Sequence, residues 1–91
     1  MTPADTTESA ITIVIPAYNE AGGIAEVVER VDRVMADDPR AWELIVVDDG
    51  SADDTAARAE AAGARLVRHE RNRGYGASLK TGLRKAHHEL V

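Results

Sequence analysis

Two adjacent carboxylates, Asp48 and Asp49, end the apolar run Leu44-Ile45-Val46-Val47 and are followed at once by Gly50-Ser51. Ionised carboxylates are costly to bury unpaired. The pair therefore belongs at the carboxyl end of a buried strand, where open α/β sheets place their ligand crevices. One acid there can accept a hydrogen bond from a base imide or amide N–H, or from a sugar hydroxyl, while the other orients the loop. Both can instead cap the next helix, whose amino terminus favours negative charge. Asp53 and Asp54 already serve that purpose, and Ser51 with Asp54 reads as a capping-box-like helix start.

Two further loops carry residues of the same kind. In Ile15-Pro16-Ala17-Tyr18-Asn19-Glu20, the Tyr18 ring can stack on a nucleobase, a contact worth roughly 1–3 kcal/mol. Asn19 is placed to cap the following helix, and Glu20 can accept a hydrogen bond from ligand or backbone. The same loop also reads as a plain strand-to-helix turn. In Asn72-Arg73-Gly74-Tyr75-Gly76-Ala77, the glycines let backbone approach a ligand and the helix start can face a phosphate. Gly74-x-Gly76 lacks the third glycine of a dinucleotide fingerprint, and no Gly-Lys-Ser/Thr follows to make a P-loop. Lys80 can meet a diphosphate or be a solvated lysine on an exposed helix face. His87 and His88 point about 100° apart on a helix and cannot share a metal. His69, at a strand end, reads as a structural residue.

The elements that must position these loops follow from periodicity. Ile11 to Ile15 is a β-branched strand stopped by Pro16, which cannot donate to a ladder. Ile24, Val27, Val28, Val31, Val34 and Met35 fall at helical spacing as one core-facing stripe, and Asp37-Asp38-Pro39 ends that helix. Glu43 to Val47 is the second strand, and its continuous apolar run Leu44-Ile45-Val46-Val47 is of the buried parallel kind. Thr55 to Ala62 is a short helix closed by Gly63. Leu66 to His69 is a third strand, and Ala77 to His88 a third helix with Leu79, Leu83 and Ala86 inward. The order is βαβαβα, an α/β, Rossmann-like parallel sheet with right-handed crossovers.

Composition bounds the reading. The chain has 91 residues, no cysteine, three aromatic residues (Trp42, Tyr18, Tyr75) and a formal net charge of −5. Disulfides, a thiolate nucleophile and Cys-type zinc sites are excluded. The acidic balance argues against a nucleic-acid partner, although Arg65 to Arg73 and Lys80 to Lys85 are locally basic. Residues 1–10 read as a disordered polar leader without the apolar region of a signal peptide, and no stretch reaches the ~20 residues of a membrane span. The expected location is cytoplasmic, at the cytoplasmic membrane face in a longer parent. Glu89-Leu90-Val91 reads as the start of a fourth strand. Residues 11–91 are thus expected to be the amino-terminal part of a larger domain, the alternative being a short complete chain that oligomerises. Three parallel strands leave edges that invite self-association.

Taken in order, Ile13-Val14-Ile15-Pro16-Ala17-Tyr18-Asn19-Glu20, Leu44 through Thr55 with Asp48-Asp49-Gly50-Ser51 at its centre, and Asn72-Arg73-Gly74-Tyr75-Gly76-Ala77 resemble family 2 inverting glycosyltransferases. The similarity is nearest to the polyprenyl-phosphate (dolichyl-phosphate-like) mannosyl- and glucosyltransferase branch, and it covers the chain from about residue 11 onward. It implies the amino-terminal nucleotide-binding half of a GT-A fold and a UDP- or GDP-sugar donor. In such enzymes the residues matching Pro16, Tyr18, Glu20, Val47 and Asp49 line the base and ribose pocket. Asp49 is the acid that the match brings to the nucleotide, and Lys80 is a candidate near the diphosphate.

The departure from the family is equally specific. Its Asp-x-Asp metal motif follows the fourth strand, so the ligands of the expected Mg²⁺ or Mn²⁺ lie outside this chain. Such an ion offsets charge on the leaving diphosphate. The chain alone is therefore expected not to transfer sugar. A full-length parent would transfer a hexose to a polyprenyl phosphate or another hydroxyl, in one displacement with inversion. Two other classes compete: a non-catalytic α/β interaction module, and a receiver-like domain. Receivers carry their acidic pair after the first strand, where this chain has Pro16-Ala17-Tyr18.

Overall fold

The computed structural model describes residues 10–86. They form β1 (Ala10–Ala17), α1 (Ile24–Ala36), β2 (Ala41–Asp48), α2 (Thr55–Ala61), β3 (Arg65–Arg68) and α3 (Tyr75–Lys85), the expected βαβαβα order. The strands make one parallel sheet in the order β1-β2-β3, with Pro16 opposite Val47 and Ala17 opposite Asp48. Residues 1–9 of the expected leader, His87, His88 and the expected fourth strand lie outside the described residues, while Ala10 belongs to β1.

β2 is the central strand, and Leu44 to Asp49 are all buried along it. Side chains alternate across a strand, so β2 feeds two cores. On one face Leu44 and Val46 pack with Ile13, Ile15 and Ala17 of β1, Ile24 and Val28 of α1, and Ala59 after the start of α2. On the other face α3 lies across β1 and β2. Both crossovers run on the first face, and α3 then doubles back on the second. The crevice between the two helix layers opens at the carboxyl ends of β1 and β2, where such sheets bind ligands.

Several boundaries differ from the sequence reading. β1 continues through Pro16 because the Asp49 N–H donates to the Ala17 carbonyl at 2.8 Å. In a parallel ladder that alternation turns the Pro16 nitrogen toward the open edge, where no donor is lost. On α1, Val27 and Val34 are exposed and leave the expected stripe, which narrows to Ile24, Val28 and Met35 with Val31 half-buried. On α3 the buried residues are Ser78, Thr81 and Gly82, while Leu83 is exposed and Ala86 lies past the helix end. Small residues face the sheet because the helix sits close to it: a Cβ on Gly82 would stand 2.4 Å from Val14 Cγ1.

Candidate functional site

Asp48 and Asp49 point to opposite faces of the sheet and take different partners. Asp48 turns toward the α1–α2 side. Its Oδ1 accepts hydrogen bonds from the Ser51 hydroxyl and from the Ser51 N–H. Its Oδ2 takes no hydrogen bond but faces Arg68 Nε at 3.3 Å. Ser51 thus anchors Asp48, not α2, and α2 has no side-chain cap on Asp54. Instead Asp53 Oδ1 accepts from the Thr55 N–H at 3.0 Å and from the Thr55 hydroxyl. These bonds, the hydroxyl's foremost, hold the Asp53 carboxyl below the usual carboxylate range.

The β1–α1 loop is stapled to this loop through its backbone. Asn19 is left-handed at φ 52°, its N–H donates to Ser51 Oγ at 2.8 Å, and its Oδ1 accepts from the Ala52 N–H at 2.9 Å. It therefore does not cap α1, which begins after Gly23 without a side-chain cap. The Glu20 N–H donates to Thr55 Oγ1 at 2.8 Å, so the peptide is fixed while the Glu20 side chain stays exposed.

Asp49 turns toward α3 and is 4% exposed. Its Oδ1 accepts from His69 Nδ1 and from the Arg73 N–H, and its Oδ2 from the Gly74 N–H, each at 2.8 Å. Burial pushes this carboxyl up, but the His69 bond and the two backbone N–H groups outweigh burial and hold it below the usual range. An ionised carboxylate has about four acceptor positions, and three are filled. Gly50 lets the β2–α2 loop meet the β3–α3 loop: its φ is +75°, and a Cβ there would lie 2.3 Å from the Arg71 carbonyl carbon.

A cleft of about 170 Å³ opens between these loops, lined by Pro16, Ala17, Tyr18, Asp49, Asn72, Gly74, Tyr75 and Ser78. Tyr18 and Tyr75 are 48% and 69% exposed, so two rings border a floor that contains one buried carboxylate. Of the residues singled out in the sequence, the cleft gathers Pro16, Tyr18 and Asp49. Glu20 lines a neighbouring groove of about 230 Å³ that shares Pro16 and Ala17. Val47 is fully buried in β2 and Lys80 is exposed on α3, and neither lines the cleft or the groove. Tyr75 and His69 belong to the site but were not singled out for it. A ring between two glycines at a helix start is the signal for Tyr75. For His69 the signal is a histidine just past a strand end in a chain with an acid left over at the neighbouring strand end.

Among the described residues no cluster of three or more His, Asp or Glu is gathered for a metal ion. The acid pair does not fit one either: Asp48 is engaged by Ser51 and Arg68, and Asp49 by His69, Arg73 and Gly74. No helix among those residues is long and apolar enough to cross a membrane.

Comparison with known proteins gives this architecture its kin. The chain is 37% identical over 87 residues to dodecaprenyl-phosphate galacturonate synthase of Rhizobium johnstonii, covering 89% of this chain and 26% of that protein. It is 40% identical over 70 residues to undecaprenyl-phosphate 4-deoxy-4-formamido-L-arabinose transferase of Klebsiella pneumoniae, covering 72% and 21%. The fold superposes at a TM-score of 0.79 and 33% identity on glucosyl-3-phosphoglycerate synthase of Mycobacterium tuberculosis in complex with UDP, over 96% of this chain and 34% of that one. The same synthase is also known with Mn²⁺, UDP and glucosyl-3-phosphoglycerate. The chain thus spans between a fifth and about a third of the proteins it matches. The strand-end acids, the loop tyrosines and nearly all of the parallel sheet lie within residues 12–91, which match Glycosyl transferase family 2; the chain belongs to that family.

Proposed function

We propose that this chain is the nucleotide-binding half of an inverting glycosyltransferase whose donor is a UDP- or GDP-hexose and whose acceptor is a polyprenyl phosphate or another hydroxyl. The observation that carries this reading is the cleft between Tyr18 and Tyr75 with Asp49 in its floor. A base enters between the rings and stacks on one or both. The acceptor position left on Asp49 takes the imide N–H of uracil or the N1–H of guanine, and the lowered carboxyl keeps it ionised for that purpose. Pro16 and Val47 shape the wall and its support, and Glu20 reaches the ribose from the adjoining groove. In the reaction the acceptor oxygen forms a bond to the sugar C1 as the C1–O bond to the diphosphate breaks, and the nucleoside diphosphate leaves. The divalent ion that neutralises that leaving group would be held by residues beyond this chain, so the 91 residues alone bind donor without turning it over. Lys80, exposed outside the cleft, meets the diphosphate only if the α3 face is part of the donor path.

The printed names of the relatives support a polyprenyl-phosphate acceptor, and the UDP complex of the structural relative supports a uridine donor. An amide NMR titration of this chain with UDP and then GDP tests the reading. Shifts confined to Tyr18, Glu20, Val47 to Gly50 and Gly74 to Tyr75 are expected, larger for the correct base. A well-dispersed spectrum that stays unmoved at millimolar nucleotide would remove the donor site.

The interaction-module reading keeps one observation of its own. β1 is a terminal strand of the sheet order β1-β2-β3, and beside it lies an apolar groove of about 200 Å³ lined by Ile13, Arg30, Val31, Val34 and Met35. We propose a second copy of the chain as its occupant, pairing β1 with β1 about a two-fold axis.

A further inference from the structure

We propose that His69 is a positioning residue for the donor cleft, and this deepens the nucleotide reading on which it rests. His69 follows β3 directly, is 6% exposed, and bridges two elements. Its Nδ1 stands 2.8 Å from Asp49 Oδ1 at the end of β2, and its Nε2 stands 2.8 Å from Thr81 Oγ1 in the middle of α3. An ionised carboxylate only accepts, so Nδ1 carries the hydrogen and donates to Asp49. In the neutral ring Nε2 then accepts from the Thr81 hydroxyl. The His69 N–H also donates to the Asp48 carbonyl at 2.9 Å, which fixes the ring's starting point on the sheet.

Asp49 in turn holds the Arg73 and Gly74 N–H groups, and Gly74 is the residue from which α3 starts with Tyr75. The connection therefore runs from Thr81 through His69 and Asp49 to the peptides that set Tyr75 on the rim. His69 and Arg73 together saturate Oδ1, which confines the remaining acceptor position of this cleft-lining carboxylate to Oδ2. Removing the Nδ1 donor leaves the carboxylate on the Arg73 and Gly74 N–H groups alone and opens a second acceptor position on Oδ1, so the acceptor aimed at the base and the anchor of the Tyr75 peptide lose definition. The ring does not touch the nucleotide and acts through Asp49.

Two substitutions separate this role from simple packing. In His69→Asn the amide nitrogen takes the place of Nδ1 and can still donate to Asp49. In His69→Gln it takes the place of Nε2 and can serve only Thr81. Each variant gives up one of the two side-chain bonds, so comparable losses of thermal stability are expected. UDP affinity, read by titration, should stay within about threefold of the parent chain in His69→Asn and fall about tenfold or more in His69→Gln, the scale of one charge-assisted bond. Protection of the Arg73 and Gly74 amides from hydrogen exchange should be retained in the first and lost in the second. Equal affinities and equal protection in the two variants would overturn the proposal and leave His69 a packing residue. If the parent chain binds neither UDP nor GDP, the donor reading fails, and amide protection alone then decides whether His69 positions the loop.

Discussion

At the scale of single residues, the acid pair shows how one position in register decides chemistry. Asp48 and Asp49 are neighbours, yet the strand's alternation gives Asp48 to Ser51 and Arg68 and gives Asp49 to His69, Arg73 and Gly74. Only Asp49 lines the cleft. The loop around it is over-determined by Gly50, whose positive φ and contact with the Arg71 peptide leave no room for a side chain. Because the folded Asp49 carboxyl lies below its ordinary value, near 3.9 in an unfolded chain, the unfolded state binds the proton more readily. The stabilisation is therefore present above about pH 4 and is lost as pH falls through the lowered folded value. Asp49→Asn places N–H donors against the N–H groups of Gly74 or Arg73 and is expected to cost about 1–3 kcal/mol at neutral pH. Thermal melts of both proteins between neutral pH and acid should converge as pH falls. Parallel curves would show that Asp49 does not carry the acid dependence.

At the scale of elements, the same packing logic explains what the sequence made legible. Leu44 to Val47 declares β2 because a strand buried on both faces needs no alternation, and the three loops are visible as polar or glycine-bearing interruptions. The inner face of α3 is not visible in that way. Periodicity looks for large apolar residues, and here Ser78, Thr81 and Gly82 face the sheet while Leu83 is left in solvent. Small residues are needed because the helix approaches β1 closely, a requirement that appears only once Val14 is known to lie beneath Gly82. Asn19 escaped for a related reason: its partners Ser51 and Ala52 are 32 and 33 residues away. Gly82→Ala is expected to destabilise the fold by about 1–3 kcal/mol, since the stiff Val14 side chain cannot yield. Adding Val14→Ala removes the obstructing methyl groups, so in a double-mutant cycle the pair should be more stable than the sum of the single losses. Strict additivity would mean that α3 does not rest on Val14.

At the scale of the whole molecule, the two sheet edges differ in how they are protected. β3 is four residues long and begins and ends in arginine, with Arg65 held by Glu43 and the Lys85 carbonyl and Arg68 facing Asp48. Charged, short edges resist pairing. β1 is eight residues long, carries Ile13-Val14-Ile15 in succession, and is the other terminal strand of the order β1-β2-β3. Beside it Val34 stands 71% exposed at the rim of the Ile13–Val31–Met35 groove. An isologous contact places each copy's edge against the other's and covers both Val34 side chains at once. Sedimentation of the 91-residue chain should then show a concentration-dependent monomer–dimer equilibrium. Val34→Glu sets two like charges against each other across the axis and should weaken it by about tenfold or more. Because Val34 makes little contact within its own copy, the melting temperature of the dilute monomer should not change. A Val67→Glu substitution on the β3 side should leave the association constant as it was. Association that responds to Val67 instead of Val34 would move the interface to the opposite edge, and a chain that stays monomeric at high concentration would remove the interaction-module reading altogether, leaving the proposed nucleotide binding in the cleft between Tyr18 and Tyr75.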